Sequence, residues 1–142
     1  MRKSAFWLAV AVGAVTGVPV QAEVATYDCT VNSLEGRGFI PDRIIFSVDT
    51  AQKVAGVVDG IIMGRYETPI PADFAQLRNG NYRLKWKVEN LKSGAQSFYL
   101  DYTLTYFVAR NSLNIRTRVK GYDNRPFGTG TCQLTQGQSV LP

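Results

Sequence analysis

The side chains that most often carry out enzymatic chemistry are scarce in this 142-residue chain. It contains no histidine and only two cysteines, Cys29 and Cys132. Without histidine, a Ser-His-Asp triad and a His-ligated zinc site are excluded, and a zinc site with two cysteines would need carboxylate ligands as well. A serine-lysine nucleophile is not indicated either, because no Ser-x-x-Lys motif follows residue 22.

Paired carboxylates are the remaining candidates for acid-base catalysis. Asp42 with Asp49, or Asp49 with Asp59, would supply such a pair. All three stand beside predicted turns, where aspartate commonly binds the backbone. We therefore expect a protein that is not an enzyme and that holds neither a cofactor nor a metal.

The two cysteines are predicted to form a structural disulfide. Cys29 falls in the first predicted strand and Cys132 in the last, so a bridge would tie the two ends of the fold together. In the chain-entropy description, a loop of that length contributes about 4 to 5 kcal/mol of stability. A redox role is the alternative, but the Cys-x-x-Cys spacing of exchange chemistry is missing.

The first 22 residues have the pattern of a secretory signal peptide. Arg2 and Lys3 precede an uncharged run over residues 5–20, and residues 20–22 read Val-Gln-Ala, a small-x-small cleavage pattern. A transmembrane anchor is the alternative, but the run contains two glycines and a proline and is short of about 20 apolar residues. We expect a periplasmic or secreted protein in which residues 23–142 form a single domain without a membrane anchor.

Charge is divided unevenly along the chain. The net charge is +5, and it becomes +3 without Arg2 and Lys3. Residues 23–77 hold four basic and eight acidic side chains, whereas residues 78–142 hold ten basic and three acidic ones. The C-terminal half is therefore predicted to form a basic surface.

Three segments of that half alternate between apolar and polar residues, which is the pattern of half-buried strands. They cover residues 82–89, 97–108 and 113–120, and the inward set of the middle segment runs from Phe98 to Val108. Short polar loops separate them. This arrangement predicts an antiparallel meander.

The outward side chains of this meander form a predicted basic face. Basic residues of the two outer segments border aromatic and polar residues of the middle one. The candidate partner-binding residues are Arg83, Lys85, Lys87, Tyr99, Phe107, Arg116, Arg118 and Lys120. An ordinary solvated surface is the alternative interpretation. A membrane-spanning barrel is excluded, because its lipid-facing side chains would have to be apolar.

The N-terminal half has a less regular strand pattern. The predicted strands are Val24 to Val31, Arg43 to Val48, Lys53 to Val58 and Ile61 to Tyr66. Asn79-Gly80 predicts a two-residue hairpin between a strand at 74–78 and the one that starts at Tyr82, which would turn Phe74 outward. A single helical turn over residues 71–77 is the alternative.

About eight short antiparallel strands predict an all-β fold. We expect a small closed barrel, with a β-sandwich as the alternative, in which the disulfide links the first and last strands. Inward residues as bulky as Trp86 and Tyr102 favour an interior filled by side chains. A lipocalin-like lumen that holds one small apolar ligand is the alternative.

Four short motifs are spread over most of the chain after residue 22. They are Tyr27-Asp28-Cys29, Phe39-Ile40-Pro41, Gly121-Tyr122-Asp123-Asn124 and Gly128-Thr129-Gly130-Thr131-Cys132. Together they resemble motifs of a family of small exported proteobacterial proteins with no assigned function. The resemblance implies a compact β fold and no particular activity.

A second set of residues is found near the middle of the chain. Gly64, Arg65 and Tyr66 follow Met63, and Trp86 with Lys87 forms a tryptophan-lysine element. In these features the chain resembles the periplasmic inhibitors of C-type lysozyme, which are small barrels with a cysteine near each end. The resemblance implies an inhibitory loop at Gly64, Arg65 and Tyr66, although Met63 occupies the position of that family's loop serine.

The function predicted from these observations is non-catalytic binding. We expect a module that acts through its basic sheet face or its loops on a protein or an anionic envelope component. The second resemblance implies that it acts in the manner of an inhibitor. A carrier of a small apolar ligand is the alternative. Nucleic acid is not an expected partner of an exported protein.

Overall fold

Eight antiparallel strands close into a barrel in the computed structural model, which describes residues 10–17, 24–34 and 38–142. Each strand pairs with the next along the chain, and the last pairs with the first. The strands are β1 (Val24–Ser33), β2 (Arg43–Asp49), β3 (Val54–Asp59), β4 (Ile70–Gln76), β5 (Tyr82–Ser93), β6 (Gln96–Phe107), β7 (Ser112–Val119) and β8 (Phe127–Thr135). The predicted eight-stranded antiparallel barrel is confirmed, and the sandwich alternative is wrong.

The predicted signal peptide lies outside the described residues except for residues 10–17, which are exposed and form neither helix nor strand. Within the described parts of the chain, no helix has the length and apolar character needed to cross a membrane.

Side chains from all around the barrel pack into its interior. Tyr27, Phe46 and Tyr106 form one aromatic cluster, in which the Tyr27 ring centroid lies 5.0 Å from that of Phe46 and 4.6 Å from that of Tyr106. Trp86 and Tyr102 stack nearly parallel, with centroids 5.2 Å apart. Phe46, Tyr102 and Tyr106 are almost completely buried. The inward side chains of the alternating strands therefore form a close-packed core.

The disulfide between Cys29 and Cys132 links the first and last strands, as predicted. The two residues lie directly opposite each other in the β1–β8 ladder, with Cα atoms 4.0 Å apart and a sequence separation of 103. Both are buried. The bridge therefore joins the strands whose pairing closes the barrel.

The predicted strand from Ile61 to Tyr66 is wrong, because residues Gly60–Tyr66 form a short helix, α1. Asp59 begins the helix: its carboxylate Oδ1 accepts a hydrogen bond of 2.8 Å from the Ile62 amide, which satisfies a free donor of the first turn. Glu67 ends it in the left-handed conformation. Ile62 is fully buried, and the helix packs on β3 and β5. Burial of this one side chain and the aspartate cap outweigh the strand tendency of the isoleucines.

The predicted register of the β4–β5 hairpin is wrong by one residue. Gln76 pairs with Tyr82, the Leu77 amide donates to the Asn81 carbonyl, and Gly80 takes a positive φ of 84°. The turn therefore has three residues with glycine at the left-handed position, rather than two. Phe74 consequently pairs with Leu84 and lies half-buried against the Tyr82 ring, 5.4 Å between centroids, instead of pointing outward. Residues Ile70–Gln76 form a strand, so the helical alternative is also wrong.

The inward position predicted for Val108 is wrong as well. β6 ends at Phe107, and Val108–Arg110 form a single 3-10 turn in which Val108 is exposed. The Val108 amide donates to the Asn81 side chain, 3.2 Å away, and Asn111 adopts a left-handed conformation. The chain therefore turns one residue earlier than the apolar alternation indicates.

The C-terminal tail packs on the outside of the barrel wall. Thr26, Ser47 and Gly56 are neighbours across β1, β2 and β3 on the outward side, and all three are buried. The Val140 amide donates a 2.9 Å hydrogen bond to the Ser47 hydroxyl, which also bonds the Thr26 hydroxyl. A Cβ atom on Gly56 would collide with the Val140 carbonyl and lie 3.0 Å from the Leu141 Cα. Three small residues thus leave room for the tail.

Candidate binding face

The outward side chains of β5, β6 and β7 form the surface predicted as a binding site, which we call the basic face. Strand pairing arranges them in two cross-strand rows. One row is Lys85, Thr103 and Arg116, and the neighbouring row is Lys87, Asp101 and Arg118. From strand geometry, the two basic strands are about 10 Å apart and the rows about 7 Å apart.

A hollow of about 650 Å³ opens on this face, and we call it the first hollow. Four of the predicted residues line it: Lys85, Lys87, Arg116 and Arg118. Sequence reasoning missed three further lining residues, Asp73, Arg125 and Phe127. Phe127 pairs with Arg116 across β7 and β8, and its ring centroid lies 6.0 Å from the Arg116 guanidinium carbon. Five cations therefore border one concavity, together with the carboxylates of Asp73 and Asp101.

A second hollow, of about 590 Å³, continues along the same face. Lys87, Asp101 and Arg118 line both hollows, so that row lies between them. Tyr99 and Lys120, both predicted, line the second hollow, where the Lys120 ammonium lies 5.8 Å from the centre of the Tyr99 ring. The two hollows and the row between them extend from Asp73 and Phe127 at one end to residues 121–123 at the other, and we call this surface the trough.

Two of the predicted residues lie apart from the trough. Arg83 is exposed on the sheet, and Phe107 is half-buried beside the Arg110 guanidinium carbon, 4.6 Å from its ring centre. Neither lines the first or the second hollow. The sequence therefore placed six of its eight candidate residues along one trough and two at its margin.

The basic side chains of the trough have no ion-pair partner among residues 24–34 and 38–142. Within that described region the one ion pair is between Arg43 and Asp28, where the guanidinium donates to both carboxylate oxygens at 2.8 and 2.6 Å. Those hydrogen bonds lower the pKa of Asp28. Asp101 lies between Lys87 and Arg118 in the ladder without forming such a contact. The first hollow therefore keeps a surplus of positive charge that can meet an anion. The second hollow has no such surplus, because its three cations are matched by the carboxylates of Glu89, Asp101 and Asp123.

The residues of the implied inhibitory loop, Gly64, Arg65 and Tyr66, lie in the last turn of α1. The Arg65 guanidinium donates to the Glu89 carbonyl at 2.9 Å, and the Glu89 amide donates to the Tyr66 hydroxyl at the same distance. These bonds hold the helix against β5 at a bulge, where Asn90 has a φ of 56°. The segment is thus helical, and its side chains bind the barrel.

The three aspartates considered for catalysis do not form the two pairs that the sequence allowed. Asp49 ends β2 and accepts hydrogen bonds from the Ala51 and Gln52 amides, so it shapes the β2–β3 turn. Asp42 precedes β2 and Asp59 ends β3, and both therefore lie at the opposite end of that hairpin from Asp49. Among the described residues, no three or more cysteine or carboxylate side chains are grouped in a way that could hold a metal.

A buried polar cluster inside the barrel was not found by sequence reasoning. Burial raises the pKa of Asp59, whose Oδ2 has no hydrogen-bond partner among the described residues. Burial, followed by the charge of Asp59, also raises the pKa of Tyr102, whose hydroxyl donates to the Phe39 carbonyl at 2.6 Å. Asp59 reads in the sequence as a turn residue, and only the helix that it caps reveals its burial.

Comparison of the chain with protein-family models, curated proteins and solved structures finds no match.

Proposed function

We propose that this protein is a non-catalytic binding module of the periplasm or the extracellular space that binds an anionic partner through its basic face. The observation that carries the proposal is the first hollow. Five cations and only two carboxylates line it, and within the described residues none of those cations has an ion-pair partner. A concave surface with one prevailing sign of charge attracts ligands of the opposite sign.

The fold supports such a role because paired strands over a packed core fix the backbone positions that carry the cations. Lys85 and Lys87 on β5, and Arg116 and Arg118 on β7, extend from two strands that both pair with β6. The side chains beneath them, including Trp86 and Tyr102, are buried in the core. The backbone positions of the charges are therefore fixed before a ligand arrives, which reduces the ordering cost of binding.

The basic face is better supported as the binding surface than either alternative from the sequence. Arg65 and Tyr66 already bind the backbone of Glu89, so they are less free to enter a partner's cleft. The barrel lumen is occupied by large side chains such as Phe46 and Tyr106, which leaves less room for an apolar ligand.

The proposed location rests on two features. A buried disulfide is consistent with an extracytoplasmic environment, because cytosolic reductants usually keep thiols reduced. The pattern of residues 1–22 supports export in particular.

A salt titration tests the proposal. Purified protein is applied to an anionic and to a neutral envelope fraction, and retention is measured as salt is raised. We expect retention on the anionic fraction at low salt and its loss as salt increases, because exposed charges are screened beyond about 8 Å at physiological ionic strength. Equal retention on the two fractions, or retention that ignores salt, would contradict the proposal.

A further inference from the structure

We propose that the ligand of the basic face is an acidic saccharide, that is, a sugar chain that carries carboxylate, phosphate or sulfate groups beside free hydroxyls. This inference rests on the proposed function and specifies the chemistry of its partner. The evidence for it comes from side chains that would have no role if the face bound its ligand through negative charge alone.

The first such side chain is Asp101. It stands between Lys87 and Arg118 in the row that both hollows share, and it is exposed. Among the described residues its carboxylate neither pairs with a cation nor accepts a hydrogen bond. A carboxylate at the centre of the trough would weaken the binding of a simple polyanion. It would favour a ligand that brings hydroxyl donors as well as anionic groups, since a carboxylate is a strong acceptor and cannot donate.

The polar neighbour in the adjacent row points to the same chemistry. Thr103 lies between Lys85 and Arg116 and lines the first hollow. Its hydroxyl can both donate and accept, as sugar hydroxyls do. Each of these two rows therefore combines two cations with one uncharged or acidic group that can bind a hydroxyl.

Aromatic rings are present at both ends of the trough. Phe127 lines the first hollow, and Tyr99 and Tyr122, which are 46% and 51% exposed, line the second. Exposed aromatic rings offer flat apolar surface with little conformational freedom to lose. The C–H faces of sugar rings pack well on such surfaces, whereas phosphate chains and acidic peptide backbones have no comparable flat face.

The dimensions of the trough suit a chain of several sugar units. The two hollows measure about 650 and 590 Å³ and share three lining residues. A linear saccharide that occupies both hollows would pass over the row that contains Asp101.

Four probes separate charge from hydroxyl recognition, each titrated calorimetrically into the purified protein at low salt. Oligogalacturonate carries carboxylates and hydroxyls, polyglutamate carries carboxylates without sugar hydroxyls, polyphosphate carries charge alone, and dextran carries hydroxyls alone. We expect oligogalacturonate to bind at least about tenfold more tightly than polyglutamate or polyphosphate at equal charge. We expect no measurable binding of dextran.

An Asp101→Asn variant gives the sharper test, because the two explanations predict opposite signs. If Asp101 accepts bonds from sugar hydroxyls, the variant should bind oligogalacturonate about tenfold more weakly, yet bind polyphosphate more tightly because a repelling charge is gone. Asp42→Asn is the matched control: it makes the same charge change at an exposed carboxylate that lines neither hollow, and it should leave the binding of all four probes unchanged.

Other results would contradict either the saccharide inference alone or the proposed function as well. Equal binding of the three anionic probes, or an Asp101→Asn variant that binds oligogalacturonate more tightly, would overturn the saccharide inference and leave the proposed anionic partner intact. Preference for polyglutamate would identify an acidic protein as the partner and would also overturn the saccharide inference. If none of the anionic probes binds, the proposed function fails with it.

Discussion

The contact between Gly56 and the C-terminal tail makes a stability prediction that does not depend on function. In the Gly56→Ala variant, the added Cβ would collide with the Val140 carbonyl, so the tail must leave the outer wall or β3 must shift. Gly56 has an ordinary φ, and alanine therefore fits the strand backbone itself. The three atoms nearest to the added Cβ all belong to the tail.

The expected cost follows from the contacts that the tail makes. Loss of the hydrogen bond from the Val140 amide to the Ser47 hydroxyl removes about 1 kcal/mol. Val140 and Leu141 are half-buried, and their exposure to water removes about 1 kcal/mol each. The freedom regained by the tail offsets part of this loss. We expect Gly56→Ala to lower the free energy of unfolding by about 1 to 2 kcal/mol.

A double-mutant cycle tests this reasoning. Urea unfolding, followed by tryptophan fluorescence, is measured for the full chain and for a chain that ends at Gln136, each with and without the Gly56→Ala substitution. Truncation should cost about as much as Gly56→Ala, and in the truncated chain Gly56→Ala should raise stability by about 0.5 kcal/mol, because glycine is the poorer strand residue.

Gly130→Ala is the control, because a Cβ there would collide with the Thr30 carbonyl of β1 and not with the tail. It should destabilise both chain lengths equally. A Gly56→Ala cost that is the same in both lengths, or a truncation without effect, would refute the packing of the tail on β3.

Three further predictions concern other parts of the molecule. The Cys29→Ala, Cys132→Ala double variant should lose about 2 to 5 kcal/mol in denaturant unfolding, and free thiols titrated in the denatured wild type without reductant would contradict the closure by a disulfide. Burial raises the pKa of Asp59, so its ionisation opposes folding. The stability of the wild type should therefore fall relative to that of Asp59→Asn as the pH rises from the unfolded-state pKa near 3.8 through the higher folded-state pKa. Asparagine retains the helix cap, so equal pH profiles in urea unfolding would show that Asp59 is not buried as a charge. If the signal-peptide prediction is right, intact-mass analysis of envelope protein should give a chain that begins at Glu23, whereas a retained leader or a lipid on Cys29 would contradict it.

The barrel and most of the trough were predictable because period-2 alternation determines which side chains of a strand face the core and which face outward. In β5 and β7, placing Leu84 and Ile115 inside leaves Lys85 and Arg116 outside, and a meander brings both next to β6. Arg125 and Phe127 could not be placed in the same way. β8 reads Phe-Gly-Thr-Gly-Thr-Cys, which lacks an apolar alternation, and Arg125 is in the loop before it.

The parts of the fold that sequence reasoning missed depend on single local interactions. A seven-residue helix is too short to show a helical period, and α1 exists because Asp59 caps it and Ile62 finds space in the core. Asn79-Gly80 is compatible with two-residue and three-residue turns, and the choice between them reverses the face of Phe74.

The most direct test of the central claim is the affinity of charge-reversed variants for the anionic envelope fraction at low salt. Lys85→Glu with Arg118→Glu changes the first hollow, and Lys53→Glu with Arg78→Glu makes the same change in net charge at a third hollow beside β4. All four side chains are exposed, so unfolding stability should change by less than about 0.5 kcal/mol per site. Binding through the basic face predicts that the first pair weakens affinity by about tenfold or more while the second has little effect. Equal weakening by both pairs, or none by the first, would contradict it.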